Sequence, residues 1–406
     1  MQASTQPIAL ERATYQQIED YGMIGNMRTV ALVSIDGSVD WFCPQQFDAP
    51  SVFAAILDRR KGGFFQIRPQ IDPETDVTHK QFYWPDTNVL ITRFLHESGV
   101  VEITDYMPVG IPEEQMQERW LMRKVKMVRG AMPLQMVCRP AFNYARDAHT
   151  VNITENGACF YADKLNLMLA TTCPLTQQDD AVVADIHLQE GDIYVFTLGF
   201  TESDGQCAIP LSDTEEDALF LSTVNYWRDW LSQCTYEGRW RETVYRSALA
   251  LKLMTYEPTG AIVASPTCSL PEGVGGSRNW DYRYSWMRDA AFTLYGFLRV
   301  GFTKEAQAFI QWVEARMHEL EPDGSLQIMY TIDGGHTIEE IELNHLEGYK
   351  GSTPVRVGNA AYKQLQLDIY GELMDSIYLY NKYGEPISYD LWVQIRRMLN
   401  WLVDNW

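Results

Sequence analysis

The hydrophobic period of this 406-residue chain changes once, near Asp213, and no other feature constrains its fold as much. Up to about residue 210, apolar and polar residues alternate, or β-branched residues run together, in segments of about five to eight separated by turn residues. Thr29–Ile35 runs through Asp36-Gly37, a hairpin turn, into Ser38–Phe42. Asn88–Leu95 pairs with Val100–Tyr106, and Arg123–Arg129, Leu134–Arg139, His149–Ile153, Leu165–Thr171 and Asp192–Phe200 add further strands. Ser51–Leu57 is expected to be a short helical exception. Many short strands without long intervening helices indicate a sandwich, not a parallel sheet.

Past the switch, Ser212 or Asp213 caps a helix with Glu215 and Glu216 in its first turn, and Leu219, Val224, Trp227 and Leu231 continue at helical spacing. Five helices follow: Arg241–Leu253, Ala290–Val300, Lys304–Leu320, Tyr362–Tyr383 and Ser388–Trp406. Gly and Pro clusters stop them, among them Glu321-Pro322-Asp323-Gly324. The expectation is a multidomain β plus α chain: a β-sandwich over residues 1–210, a linker helix over 211–237 and a helical domain over 238–406. Short and long connections alternate between the helices, as in an α/α toroid. The long ones, 261–289 and 326–360, would share one face, and loops of that length are usually functional.

The first long loop closes on Asn279–Asp289, NWDYRYSWMRD, which holds four aromatics, two Arg and two Asp. Sugar rings present C–H faces to Trp and Tyr, and hydroxyl rims to carboxylates and guanidinium groups. Trp286, Arg288 and Asp289 stand at the mouth of a helix. A salt-bridged, aromatic-rich domain junction is the alternative reading. The second loop carries Glu339, Glu340, Glu342, His345, Glu347, Arg356 and Asn359. Dinucleotide, P-loop, zinc-protease and nucleophile-elbow patterns are all absent.

A formal net charge of −21 argues against a nucleic-acid partner and suits a neutral substrate. The seven Cys are scattered, without metal-ligand spacing, and are expected to be free thiols in a reducing cytoplasm. Neither a signal peptide nor a membrane-spanning apolar run is visible.

Ile18-Glu-Asp-Tyr-Gly-Met-Ile-Gly-Asn26, Asp36-Gly-Ser-Val-Asp-Trp41 and Phe47-Asp-Ala-Pro-Ser-Val-Phe53 resemble the N-terminal signature of bacterial and archaeal glycoside hydrolase family 15. Asn279–Asp289, Gly348–Asn359 and Gln366-Leu-Asp-Ile-Tyr-Gly-Glu372 resemble its barrel motifs. The family comprises glucoamylases, glucodextranases and prokaryotic trehalases. The resemblance implies an N-terminal β-supersandwich, a linker helix and an (α/α)6 toroid of which about the first five helices are present. It also implies that Arg288 and Asp289 hold hydroxyls of a non-reducing glucose beside Trp286, with Tyr330 and Arg356 on neighbouring loops.

Such an enzyme releases glucose from an α-glucoside, maltooligosaccharide or trehalose, with inversion. It uses a general acid and a general base roughly 6.5–9.5 Å apart. The resemblance places both beyond Trp406, so the catalytic set here is empty and the chain is expected to be inactive alone. No cofactor or metal is implied. A homo-oligomer or a C-terminal fragment is the expected partner, because an incomplete toroid exposes an apolar edge. The competing function is a non-catalytic carbohydrate sensor derived from the same family.

Overall fold

The structure is a computed structural model and describes residues 10–71, 76–112, 121–201, 209–319 and 324–406. The chain divides into two compact units: Met1–Asn26, Val30–Gln45 and Ala49–Arg228; and Met27–Thr29, Gln46–Asp48 and Asp229–Trp406. The first is sheet-rich and the second is helical. Two short N-terminal segments belong to the helical unit.

In the first unit, β1 (Tyr21–Gly25), β2 (Val30–Ser34), β3 (Ser38–Phe42) and β4 (Phe64–Pro69) pair in order. Beyond them lie β5 (Thr78–Tyr83), β6 (Leu90–His96), β7 (Gly99–Tyr106) and β8 (Leu121–Arg139). Then come β9 (His149–Thr154), β10 (Gly157–Ala162), β11 (Asn166–Ala170), β12 (Thr176–Gln178), β13 (Ala181–Gln189) and β14 (Ile193–Thr201). The 19-residue β8 joins two sheets. Its first half pairs with β7 and β14, and its second half with β13 and β4. Their inner faces enclose one apolar core containing Phe42, Phe65, Phe94, Phe160 and Phe196.

Two sequence expectations are corrected here. Arg123–Arg129 and Leu134–Arg139 are one strand, not two. The apparent break falls at Gly130, whose φ is +73° and whose Cβ, if present, would lie 2.2 Å from the Ser98 carbonyl oxygen. Glycine thus lets β8 turn from one sheet to the other while its ladder continues. Ser51–Leu57 is not helical. The Val52 N–H donates to the Phe42 carbonyl at 3.0 Å, and Phe53 forms an isolated bridge to Phe42.

The Asp36–Asp40 stretch has a structural use. Arg12 is buried between the two carboxylates, 2.9 Å from Asp36 and 3.1 Å from Asp40, and Tyr21 donates to Asp40 at 2.8 Å. The thiols divide as well. Cys138, Cys173 and Cys234 are free thiols and Cys43 and Cys268 form no disulfide, whereas Cys159 is disulfide-bonded, against the expectation of free thiols throughout. Cys207 lies outside the described residues.

Helix α1 (Asp213–Leu231) opens with a capping box: the Ser212 Oγ accepts from the Glu215 N–H, and the Ser212 N–H donates to the Glu215 carboxylate at 2.9 Å. The helical unit then contains α2 (Arg241–Leu253), α3 (Met287–Arg299), α4 (Thr303–His318), α5 (Asp368–Tyr383) and α6 (Tyr389–Asn405). The Glu321–Asp323 stop expected after α4 lies outside the described residues. The helix expected from Tyr362 starts only at Asp368. Asn359 caps a separate 3-10 turn over Ala360–Lys363, and Gln364 is extended. Among the described residues no helix is long and apolar enough to cross a membrane.

Asn143, Tyr144 and Ala145 are all left-handed, with φ of 53°, 57° and 61°. Each costs about 1–2 kcal/mol in that region. Ala145→Gly is therefore expected to stabilise the first unit by about 1 kcal/mol, a rise of roughly 2–4 °C in its melting midpoint. Calorimetry checks this, and a lowered midpoint would contradict the strain.

Candidate functional site

The two long loops of the helical unit are stapled to one another. Strand β15 (Cys268–Pro271) pairs with β16 (Asn279–Asp281), β17 (Ser285–Trp286) with β18 (Met329–Tyr330), and β19 (Ile341–Glu342) with β20 (Arg356–Val357). Asp281 is fully buried and gathers the junction. One of its oxygens accepts from the Arg283 N–H and Nε at 3.1 and 2.9 Å. The other accepts from Arg283 Nη2 at 2.7 Å and the Gly358 N–H at 3.0 Å. Gly358 has φ +75°, and a Cβ there would overlap the Glu339 carbonyl oxygen, so only glycine lets that N–H approach. Asn359 Nδ2 adds a bond to the Asp281 carbonyl at 3.1 Å, and Arg283 Nη1 reaches the Phe47 carbonyl at 3.2 Å.

This frame delivers the start of α3. The Met287 N–H bonds the Ile328 carbonyl at 3.1 Å, leaving Arg288 and Asp289 half-buried in the first helical turn. Arg288 Nη1 donates to Asp368 at 2.9 Å and to Gln366 at 3.2 Å, and its Nη2 lies 3.3 Å from Asp289 Oδ2. Hydrogen bonding to Asp368 holds the guanidinium above its ordinary range. The Asp289 Oδ2 is buried and ion-paired to Arg288 without an aligned hydrogen bond, and the Ser285 Oγ and the Asn279 Oδ1 are buried without hydrogen-bond partners. A buried carboxylate oxygen without an aligned donor has acceptor capacity to offer a ligand hydroxyl.

Trp286 is buried, and its ring is 5.4 Å from Tyr282 at 47°. The Tyr282 hydroxyl is pushed up, by burial first and then by nearby carboxylates including Asp289. Tyr282, Gln366 and Asp368 thus join Trp286, Arg288 and Asp289, although sequence reading did not single them out. Their signal was available: Tyr282 lies inside NWDYRYSWMRD, and Gln366-x-Asp368 opens the last recognised motif.

Tyr330 and Arg356 fall elsewhere. In the β17–β18 register Tyr330 is opposite Ser285, so its side chain leaves the face that Trp286 uses. It packs edge-on against Trp312 and His336, and its hydroxyl accepts from the Gln327 N–H. Arg356 forms its own group: it lies 4.6 Å over Trp280, donates to the Ser277 carbonyl at 2.9 Å, and contacts Glu340 and Glu342 at 3.3 and 3.4 Å. Glu340 also accepts from the Ala360 N–H. Among the described residues no group of three or more His, Cys, Asp or Glu is placed to hold a metal.

Residues 238–406 match the model of glycosyl hydrolases family 15, and residues 9–202 match that of the trehalase-like N-terminal domain. The helical part of the chain belongs to glycosyl hydrolase family 15. It is 34% identical to a protein named trehalase from Thermoplasma volcanium, over 95% of this chain and 60% of that one. It is 35% identical to a trehalase of Thermoplasma acidophilum, over 91% and 62%, and 33% identical to one of Mycobacterium tuberculosis, over 97% and 60%. The family member described here therefore spans about three-fifths of the length of these relatives.

Two variants test the frame. Asp281→Asn leaves the Arg283 charge buried and is expected to cost the helical unit about 3–5 kcal/mol, read by urea unfolding. A loss under 1 kcal/mol would remove the pair from its central place. Asp48, in a helical-unit segment, is pushed up by burial, against the pull of Arg283. A carboxyl raised on folding costs stability while ionised, and that cost fades as pH falls through its folded value toward the unfolded ~3.9. Asp48→Asn is expected to raise the melting midpoint at pH 7 and to lose this advantage near pH 4. An equal effect at both pH values would contradict the assignment.

Proposed function

We propose that this chain carries the non-reducing glucose subsite of a trehalase-type α-glucoside hydrolase. The observation that carries the reading is the arrangement at the start of α3. Arg288 is held from outside its helix by Gln366 and Asp368, and its Nη2 pairs with a buried Asp289 oxygen at 3.3 Å. A pyranose hydroxyl donates to Asp289 while its oxygen accepts from Arg288, and Tyr282 and Trp286 offer aromatic surface. Trehalose is the preferred substrate, because the relatives matching both units are named trehalases. We assign Tyr330 to the core behind this wall. Arg356 orders the second loop.

The hydrolysis proposed is inverting and exo-acting, and releases glucose. One carboxylic acid protonates the glycosidic oxygen, and one carboxylate takes a proton from the attacking water. We place neither role among residues 339–347. Glu340 and Glu342 are occupied by Arg356, and Glu340 by a backbone amide as well. On this reading the wall supplies binding and orientation, and the fold around it is an (α/α)6 toroid completed by further helices. The exposed Tyr389, Trp392 and Val403 of α6 are the surface that such helices, or a second copy, would cover.

Trehalose and maltose titrated into the 406-residue chain test the subsite. Arg288→Ala is expected to weaken binding about 10–100-fold, the loss of a hydrogen bond to a charged group. Glucose release is expected to be undetectable. Release by this chain would move catalysis to Glu339–Glu347, and binding untouched by Arg288→Ala would remove the subsite.

A further inference from the structure

The sheet-rich unit contains a cavity of about 180 Å³. Its apolar lining includes Val52, Phe142 and Leu165, and its polar lining Asn143, Asp147 and Lys164. Two features set it apart from an ordinary surface dimple.

The first is its backbone. Nine non-glycine residues have positive φ among the described residues, and four of them, Gln45 and the consecutive Asn143, Tyr144 and Ala145, line or adjoin this cavity. Strained backbone persists where surrounding structure enforces it, and it concentrates at ligand clamps. The second is that its wall is already fastened. Asn143 Nδ2 donates to Asp147 at 2.9 Å, and Asn143 Oδ1 accepts from Arg146 at 2.6 Å. Arg146 lies 5.6 Å over the Tyr144 ring, and the Tyr144 hydroxyl donates to the Ala49 carbonyl at 3.3 Å. The rim is therefore set before any ligand arrives. Beside it, between lining residues Pro50 and Val52, the Ser51 Oγ is buried with no hydrogen-bond partner.

We propose that this cavity binds one neutral hexopyranose, at a site separate from Arg288 and Asp289. Its volume is below the roughly 300 Å³ at which pockets for drug-sized ligands begin, so it suits a single ring better than a disaccharide. Asp147 and Lys164 cancel in charge, which favours a neutral guest. The amide, carboxylate and ammonium of the rim match hydroxyls that both donate and accept. The apolar lining suits the C–H face of a pyranose. The chemical class follows from the cavity; only its naming as the glucose released by hydrolysis rests on the function proposed above. On that naming the site is a product sensor, filled as glucose accumulates.

The test is an NMR titration of D-glucose into the 406-residue chain carrying Arg288→Ala, which disables the subsite on α3. A saturable site with a dissociation constant in the millimolar range is expected to remain. Adding Ala162→Leu, at a half-buried lining position at the end of β10, is expected to weaken it at least tenfold. Lys164→Ala, at an exposed position that does not threaten folding, is expected to weaken it about threefold. The proposal is overturned if the Arg288→Ala chain shows no saturable glucose site, or if both further variants leave affinity within twofold. The effect of Arg288→Ala on trehalose binding, measured against the unaltered chain, reports on the α3 subsite, so the two readings fail independently.

Discussion

Everything on the candidate face depends on a buried ion pair. Asp281 and Arg283 are almost fully excluded from solvent and lie 2.7 Å apart. Isolated, either charge would be prohibitively expensive in that setting, and as a bare pair they would contribute little net stability. Their worth is in what else they hold. Arg283 spends a donor on the Phe47 carbonyl, and Asp281 collects backbone N–H groups from its own loop and from Gly358. Two loops held by only short strand pairs thereby acquire one fixed geometry, and the entropy that long loops carry is removed before a substrate arrives.

That economy explains why charge is so dense in NWDYRYSWMRD. Its acidic and basic residues divide between two tasks. Asp281 and Arg283 are interior and structural, whereas Arg288 and Asp289, a few residues later, are half-buried and still have hydrogen-bonding capacity to offer. The aromatics divide similarly: Trp280 lies beneath Arg356, while Tyr282 and Trp286 pack against one another.

Much of this was legible in the residues, for identifiable reasons. Helix α2 and the capping box of α1 are local, set by propensity and by Ser212 and Glu215, so reading the chain found them. The unity of β8 was hidden because a glycine in a strand normally reads as a terminator, and only the pairing partners on both sides reveal a bend. The stretch 51–57 has helical spacing, yet its N–H groups find the Phe42 carbonyl, a tertiary choice that propensity does not encode. At the candidate site, Arg288 and Asp289 were visible through chemistry and motif. The face that Tyr330 takes was not legible, because strand register follows from the β17–β18 pairing and not from composition. Gln366 and Asp368 become partners of Arg288 only once α5 is packed beside α3.

The shared strand β8 has a consequence for how the first unit opens. Its N-terminal half is zipped between β7 and β14 and its C-terminal half between β13 and β4, so neither sheet can peel away while the other stays whole. A fluctuation that frees the amides of one half must break the ladder at Gly130 or carry the other half with it. Solvent exchange from the centres of both sheets should therefore share a single limiting free energy, that of global unfolding. The sheet-rich unit, with fourteen strands among its described residues, would then behave as one cooperative folding unit with a strand for its axle.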